Sequence, residues 1–205
     1  MASGSYTNLL YASRSSGTPL ATFTTEASMA AGMAELGTTA NYINMGLPAN
    51  YFSQNDGIGA VVRVEANGVW GDTSTAPTFT FGLRWTSATG VLIATSTAIT
   101  PALSMTNAMW HWTVDLICLT TGPSTSATCR AGGMLVMENS AIATGTTITT
   151  FFGAGSGFGT PTPASLTTAG FDSTVPQAIV PTCACGTSNG ANTVTLTDLK
   201  IFGLN

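Results

Sequence analysis

Thr78-Phe79-Thr80-Phe81-Gly82-Leu83-Arg84-Trp85-Thr86 alternates large apolar residues with small or polar ones at every second position. Side chains two apart share one face of a strand. Phe79, Phe81, Leu83 and Trp85 therefore form an apolar face, with Thr78, Thr80, Gly82, Arg84 and Thr86 opposite. Ser87-Ala-Thr-Gly90 follows as a turn and residues 91–98 return, which predicts a hairpin. Downstream, Trp110, Trp112, Val114, Leu116 and Cys118 repeat the pattern, and residues 61–69 and 131–137 read as two further strands. A last hairpin is predicted from residues 175–185, the turn Gly186-Thr-Ser-Asn-Gly190, and residues 193–202, where Val194 and Leu196 alternate with Thr195 and Thr197. Eight or nine strands without recurring helices exclude a parallel α/β fold, whose crossovers need them. The expected fold is all-β: an antiparallel β-sandwich of jelly-roll type, with about eight strands and at most one short helix; a closed barrel ranks second.

The sandwich is expected over residues 41–205, preceded by an N-terminal arm over 1–40. Thr24 or Thr25 as a cap, Met29, Met33 and Leu36 at i, i+4 and i+7, and Gly37 as a stop predict a short helix over 24–36, weakened by Gly32. In the polar opening stretch, Tyr6, Leu9, Leu10 and Tyr11 form an apolar knot. It reads equally as the anchor of a docking arm and as a first edge strand. The arm reading expects the sandwich to fold without residues 1–20. The glycine-rich run 153–170 reads as a contact loop, with Phe151, Phe152 and Phe158 as anchors.

Composition narrows the function. Charged residues are only 7% of the 205, against about 25% in ordinary soluble domains, while 37 residues are threonine and 23 glycine. Five scattered basic residues cannot neutralise a phosphate backbone, which argues against a nucleic-acid partner. Mean hydropathy is +0.31, yet no run of about 20 apolar residues exists, so no membrane span is expected. The opening Met-Ala-Ser-Gly-Ser-Tyr has neither the basic nor the apolar region of a secretory signal.

Candidate chemistry is sparse. Cys183-Ala-Cys185 lacks the spacing of zinc ligands, and the single histidine adds nothing, so neither a metal nor another cofactor is expected. Cys118 and Cys129 can form a disulfide if their strands pair. Glu65 and Asp115, each between apolar residues, are the one defensible carboxylate pair for hydrolysis, though Arg63 or Arg84 would bind the same groups as ion pairs. His111 points opposite Trp110 and Trp112, and Gly155-Ser-Gly-Phe-Gly159 is no nucleophile elbow; a structural or surface role is expected for His111. Glycan binding needs exposed aromatics, for which Trp70 between Gly68 and Gly71-Asp72 is the leading candidate, followed by Tyr42, Tyr51 and Phe52. Trp85, Trp110 and Trp112 are expected in the core. A chain this poor in charge keeps its apolar surface covered by assembling, and a symmetric oligomer is expected.

Three stretches carry a likeness to known proteins: Tyr6-Thr-Asn-Leu-Leu-Tyr-Ala-Ser-Arg14, Thr22-Phe-Thr-Thr-Glu-Ala-Ser28, and Thr168-Ala-Gly-Phe-Asp-Ser-Thr-Val-Pro-Gln177. With the Thr/Ala/Gly-rich composition, they resemble small β-structured virion proteins of tailed bacteriophages, akin to jelly-roll decoration (cement) proteins. The resemblance implies a non-enzymatic homotrimer seated on the capsid exterior against the major capsid protein. It transfers a role but no catalytic, cofactor or metal residue. A head or tail fibre component binding host glycans is the alternative, and a free carbohydrate-binding module or hydrolase the next.

Overall fold

The structure is a computed structural model and describes residues 7–36, 42–55, 57–72, 77–139, 147–153 and 167–204, with backbone only at Ile43 and 147–153. Eleven strands run in chain order: β1 (Thr7–Ala12), β2 (Ala27–Ser28), β3 (Gly46–Leu47), β4 (Val61–Gly71), β5 (Phe79–Trp85), β6 (Leu92–Thr95), β7 (Ala108–Thr120), β8 (Thr128–Glu138), β9 (Thr147–Gly153), β10 (Gln177–Cys185) and β11 (Thr193–Leu204). One four-residue α-helix, Tyr51–Gln54, and two single 3₁₀ turns complete the elements among the described residues. No helix among them is long and apolar enough to cross a membrane.

Every ladder is antiparallel, in the order β1-β11-β4-β7-β8-β9-β6-β5-β10-β2, with β3 also on β10. The path folds over where β6 meets β9 through one residue pair, Thr95 with Gly153. One layer is thus β1-β11-β4-β7-β8-β9, and the other β6-β5-β10 with β2 and β3. The expected all-β antiparallel sandwich is the observed architecture. The ladders β7–β8, β6–β9, β5–β10 and β4–β11 nest one inside the next, while β4–β7, β5–β6 and β8–β9 pair laterally.

Alternation fills the interior. Val62, Val64, Ala66 and Trp70 of β4 and Trp110, Trp112, Val114 and Leu116 of β7 are buried, as are Phe79, Phe81, Leu83 and Trp85 of the facing layer. Phe81 meets Trp110 and Trp112 at ring-centroid distances of 5.3 and 6.0 Å, and Trp70 meets Phe79 edge-on at 5.9 Å. Phe171 stacks on Trp85 at 4.3 Å. Such pairs add about 0.5–1.5 kcal/mol each beyond the area they bury.

The hairpin predicted over 79–98 forms as β5 and β6. Gly90 is obligatory in its turn, because a Cβ there would lie 1.8 Å from the Trp85 carbonyl oxygen. The last predicted hairpin does not form. β10 pairs with β5 and β11 with β4, so residues 186–192 cross between the layers. A glycine-bounded turn permits either connection. The buried run in β10 has neighbours on both edges and leaves no place for β11.

The helix predicted over 24–36 is replaced by β2, turns and a 3₁₀ turn at Ala34–Leu36. The Met29 N–H donates to the Pro181 carbonyl at 2.9 Å, and Gly32 sits at φ 78°, outside helical space. Met29, Met33 and Leu36 nevertheless enter the core. The first segment runs along the sandwich: β1 pairs with β11, Gly17 donates to Leu196, and Leu20 bridges Val194. Of the two readings of Leu9–Tyr11, the edge strand is the one realised within the chain. Removing residues 1–20 would strip β11, so the sandwich is not expected to tolerate that deletion.

Candidate functional site

Period two sends one set of β4, β7, β8 and β11 side chains outward, and these carry most of the chemistry. Arg63, Glu65, Asp115, Arg130, Glu138, Asp198 and Lys200 lie on this face, seven of the fourteen charged residues, together with the sole histidine. Register arranges them in rows across the strands: Phe202, Arg63, Asp115; Lys200, Glu65, Thr113, Met134; Asp198, Asn67, His111, Val136. Residues directly opposite approach closely enough to bond.

The rows satisfy themselves. Arg63 donates to both Asp115 oxygens, Nε to Oδ1 at 2.8 Å and a terminal nitrogen to Oδ2 at 2.9 Å. That bidentate bond holds the guanidinium above its ordinary pKa. Lys200 Nζ sits 2.8 Å from Asp198 Oδ2, which also accepts from Asn67 Nδ2 at 3.3 Å. The His111 ring spans Asn67 Oδ1 at 2.6 Å and Thr113 Oγ1 at 3.2 Å. A β-bulge at Thr197 turns Asp198 outward, and Thr197 Oγ1 donates to the Asn67 carbonyl at 3.1 Å.

Glu65 and Asp115 do share this face on adjacent strands, but not as a facing acid and base. Asp115 faces Arg63, and Glu65 faces Thr113 and Lys200. His111 is exposed and bonded to neutral side chains, on the face opposite Trp110 and Trp112 as expected. Arg84 serves neither carboxylate. It lies in the other layer, bidentate to Glu26 at 2.8 and 2.6 Å, with a further bond to the Gly90 carbonyl. Thr182 Oγ1 also donates to Glu26. Burial would raise the Glu26 pKa, but these bonds outweigh it and hold the carboxyl below its ordinary range.

The glycan candidates need correction. Trp70 is 1% exposed, with its ring against Phe79, and Tyr51 and Phe52 are also buried. Gly68 marks packing space rather than a loop, since a Cβ there would sit 2.4 Å from the Trp110 ring. Tyr42 is half-buried against the core. Trp85, Trp110 and Trp112 are in the core as expected.

Of the proposed assembly contacts, Leu9 is 53% exposed on β1, while Leu10 and Tyr11 are half-buried against the core. Tyr11 Oη donates to Glu35 at 3.0 Å, and Ser15 Oγ and the Arg14 N–H donate to the same carboxylate. Burial raises the Glu35 pKa, but those donors bring it down to about 2. Tyr6 and Phe158 lie outside the described residues. Phe151 and Phe152 are on β9, opposite Met134 and Gly133. The glycine-rich run 153–170 lies mostly outside the described residues. Glu26 and Glu35 carry no local signal in the sequence, because their partners stand far away in the chain. Among the described residues no cluster of three or more His, Cys, Asp or Glu could hold a metal.

No family model matches the chain, and no curated protein and no solved structure matches it either.

Proposed function

We propose that this protein is a non-enzymatic assembly component of a phage virion, a capsid decoration protein acting as a homotrimer on the shell exterior. The observation that carries the reading is the edge strand β1. Among the described residues β1 has a strand partner on one side only, and Thr7–Ala12 contains neither charge nor proline. Monomeric β-proteins blunt such edges with lysine, proline or bulges, because a bare edge recruits another chain; β1 is irregular at Leu10 but carries neither lysine nor proline. Here Leu9 adds an exposed apolar side chain beside it. A surface built of threonine and glycine with 7% charge gives the same support, since desolvating it against neighbours costs little. Met109 and Met134, 64% and 44% exposed on the outer sheet, add apolar area for seating. The nested winding and the virion-like stretches are in keeping with this role. A trimer multiplies modest contacts into firm attachment.

The test uses native mass spectrometry of the purified chain and of Leu9→Lys, which charges the edge without touching the core. The expected wild-type mass is three times the 20.8 kDa chain, with Leu9→Lys shifted toward monomer at unchanged circular dichroism. A monomeric wild type, or a variant that assembles as well as wild type, overturns the role given to β1.

A further inference from the structure

We propose that Cys118 and Cys129 are a cross-strand dithiol that oxidises to a disulfide, while Cys183 and Cys185 remain thiols. Cys118 on β7 stands directly opposite Cys129 on β8. The backbone bonds reveal which kind of opposition this is. The Cys118 N–H donates to Ala60 O at 2.9 Å, and its carbonyl accepts from the Gly59 N–H at 2.8 Å, both toward the β4 side. The Cys129 N–H donates to Thr168 Oγ1 at 3.0 Å, and its carbonyl accepts from the Thr168 N–H at 2.8 Å, both on the far side. Neither residue spends a backbone group on the other. They therefore occupy a non-hydrogen-bonded antiparallel position, where Cα atoms approach to about 4.5 Å and side chains come closest. Disulfides span Cα separations of about 4.4–6.8 Å, so the backbone already satisfies the bond.

Side-chain direction agrees. Both residues are fully buried on the inner face, so their Cβ vectors leave the sheet on the same side. Burial raises both thiols, and the proximity of Cys118 raises Cys129 further. Cys183 and Cys185 differ in kind. They are two apart on the single strand β10 and do not face each other across a ladder; their thiols donate to the Ala184 and Thr187 carbonyls, as the Cys118 thiol does to the Thr120 carbonyl. Same-face side chains of one strand project in parallel, so their Cβ atoms stand about 6.6 Å apart, well beyond the about 3.5–4.5 Å that a disulfide bridges.

The step balances with a small-molecule disulfide as oxidant. A thiolate of the pair attacks the oxidant and expels one thiol. The second cysteine then displaces the other, forming Sγ–Sγ. Two Sγ–H bonds are lost, and the two electrons and two protons leave in the two reduced thiols. Because both cysteines are fully buried, exchange runs through opening of the hairpin mouth, where Leu119 is bulged and Thr120 meets Thr128, or before the strands close.

Trypsin separates the two pairs, since residues 85–130 carry only Cys118 and Cys129 and residues 131–200 only Cys183 and Cys185. The full chain is incubated natively with oxidised glutathione, denatured, alkylated without reductant and digested. The expected result is a peptide 85–130 without alkyl groups and about 2 Da lighter than its dithiol, beside a doubly alkylated 131–200. Cys118→Ser should abolish the mass loss. Two alkyl groups on 85–130, mass loss in 131–200 instead, or an unchanged loss in Cys118→Ser would each overturn the proposal.

Discussion

Glu26 and Arg84 form the most consequential ion pair in the fold, and a double-mutant cycle measures it. The pair joins the segment leading into β2 to the outward side of β5, 58 residues away. Side-chain exposures are 22% and 27%, so water screens it only partly. Each charge-assisted bond contributes about 1.5–3 kcal/mol when fully enclosed. With about a quarter of each side chain wet, half that value is reasonable, which puts the coupling near 2 kcal/mol. Glu26→Gln and Arg84→Met keep the shapes while removing one charge each. Each single change should cost about 2 kcal/mol, since the surviving charge loses its partner. The double variant should cost about as much as either alone. For a chain of this size that is a fall in Tm of about 4–8 °C. The four tryptophans are all buried, so their fluorescence reports unfolding in urea directly. A coupling energy below about 0.5 kcal/mol would refute the enclosure argument and reduce the pair to a surface contact.

Arg63→Met removes an equally well-formed bidentate pair, but at 38% and 37% exposure the expected cost is under about 1 kcal/mol, read by the same urea titration. Gly68→Ala drives a Cβ to within 2.4 Å of the Trp110 ring and 2.0 Å of the Thr195 carbonyl; about 3 kcal/mol of destabilisation or loss of soluble protein is expected in a thermal melt. Glu26 and Glu35 are held below the ordinary carboxylate pKa of 4.5, so their stabilisation is present above that value and is lost as pH falls from it through each group's lowered pKa. For Glu35 the fall to about 2 corresponds to about 3 kcal/mol in full, and screening at this partly exposed group leaves about 1 kcal/mol. Glu35→Gln should flatten the decline in Tm between pH 4.5 and 2.

The strands were legible because period two survives wherever one face is buried and the other wet. Phe79–Trp85 and Trp110–Cys118 read correctly, and so did their shared interior. Pattern failed where geometry depends on something across the sheet. The bulge at Thr197 reverses the parity of β11, so Leu199 and Ile201 point inward where strict alternation from Val194 would put Asp198 and Lys200. The connection after Cys185 looks locally like a hairpin turn, and only the crowded edges of β10 show that it crosses layers. Trp70 looked exposed because glycines flank it, yet Gly68 is small to admit Trp110. Met29, Met33 and Leu36 kept helical spacing and proved core residues, but β10 claimed the backbone that a helix would have used. Of the outer sheet face, Glu65, Asp115 and His111 were visible as candidates. Arg63 was visible as an ion-pair partner too, but register alone decides that it meets Asp115 rather than Glu65, and that Asn67 stands opposite His111.

Whether the chain decorates a capsid is decided by its copy number in purified virus particles, by quantitative mass spectrometry against the major shell protein. Hundreds of copies in simple ratio to the shell are expected. A handful per particle would assign the chain to a fibre or vertex, and absence from the particle would contradict the assembly role altogether.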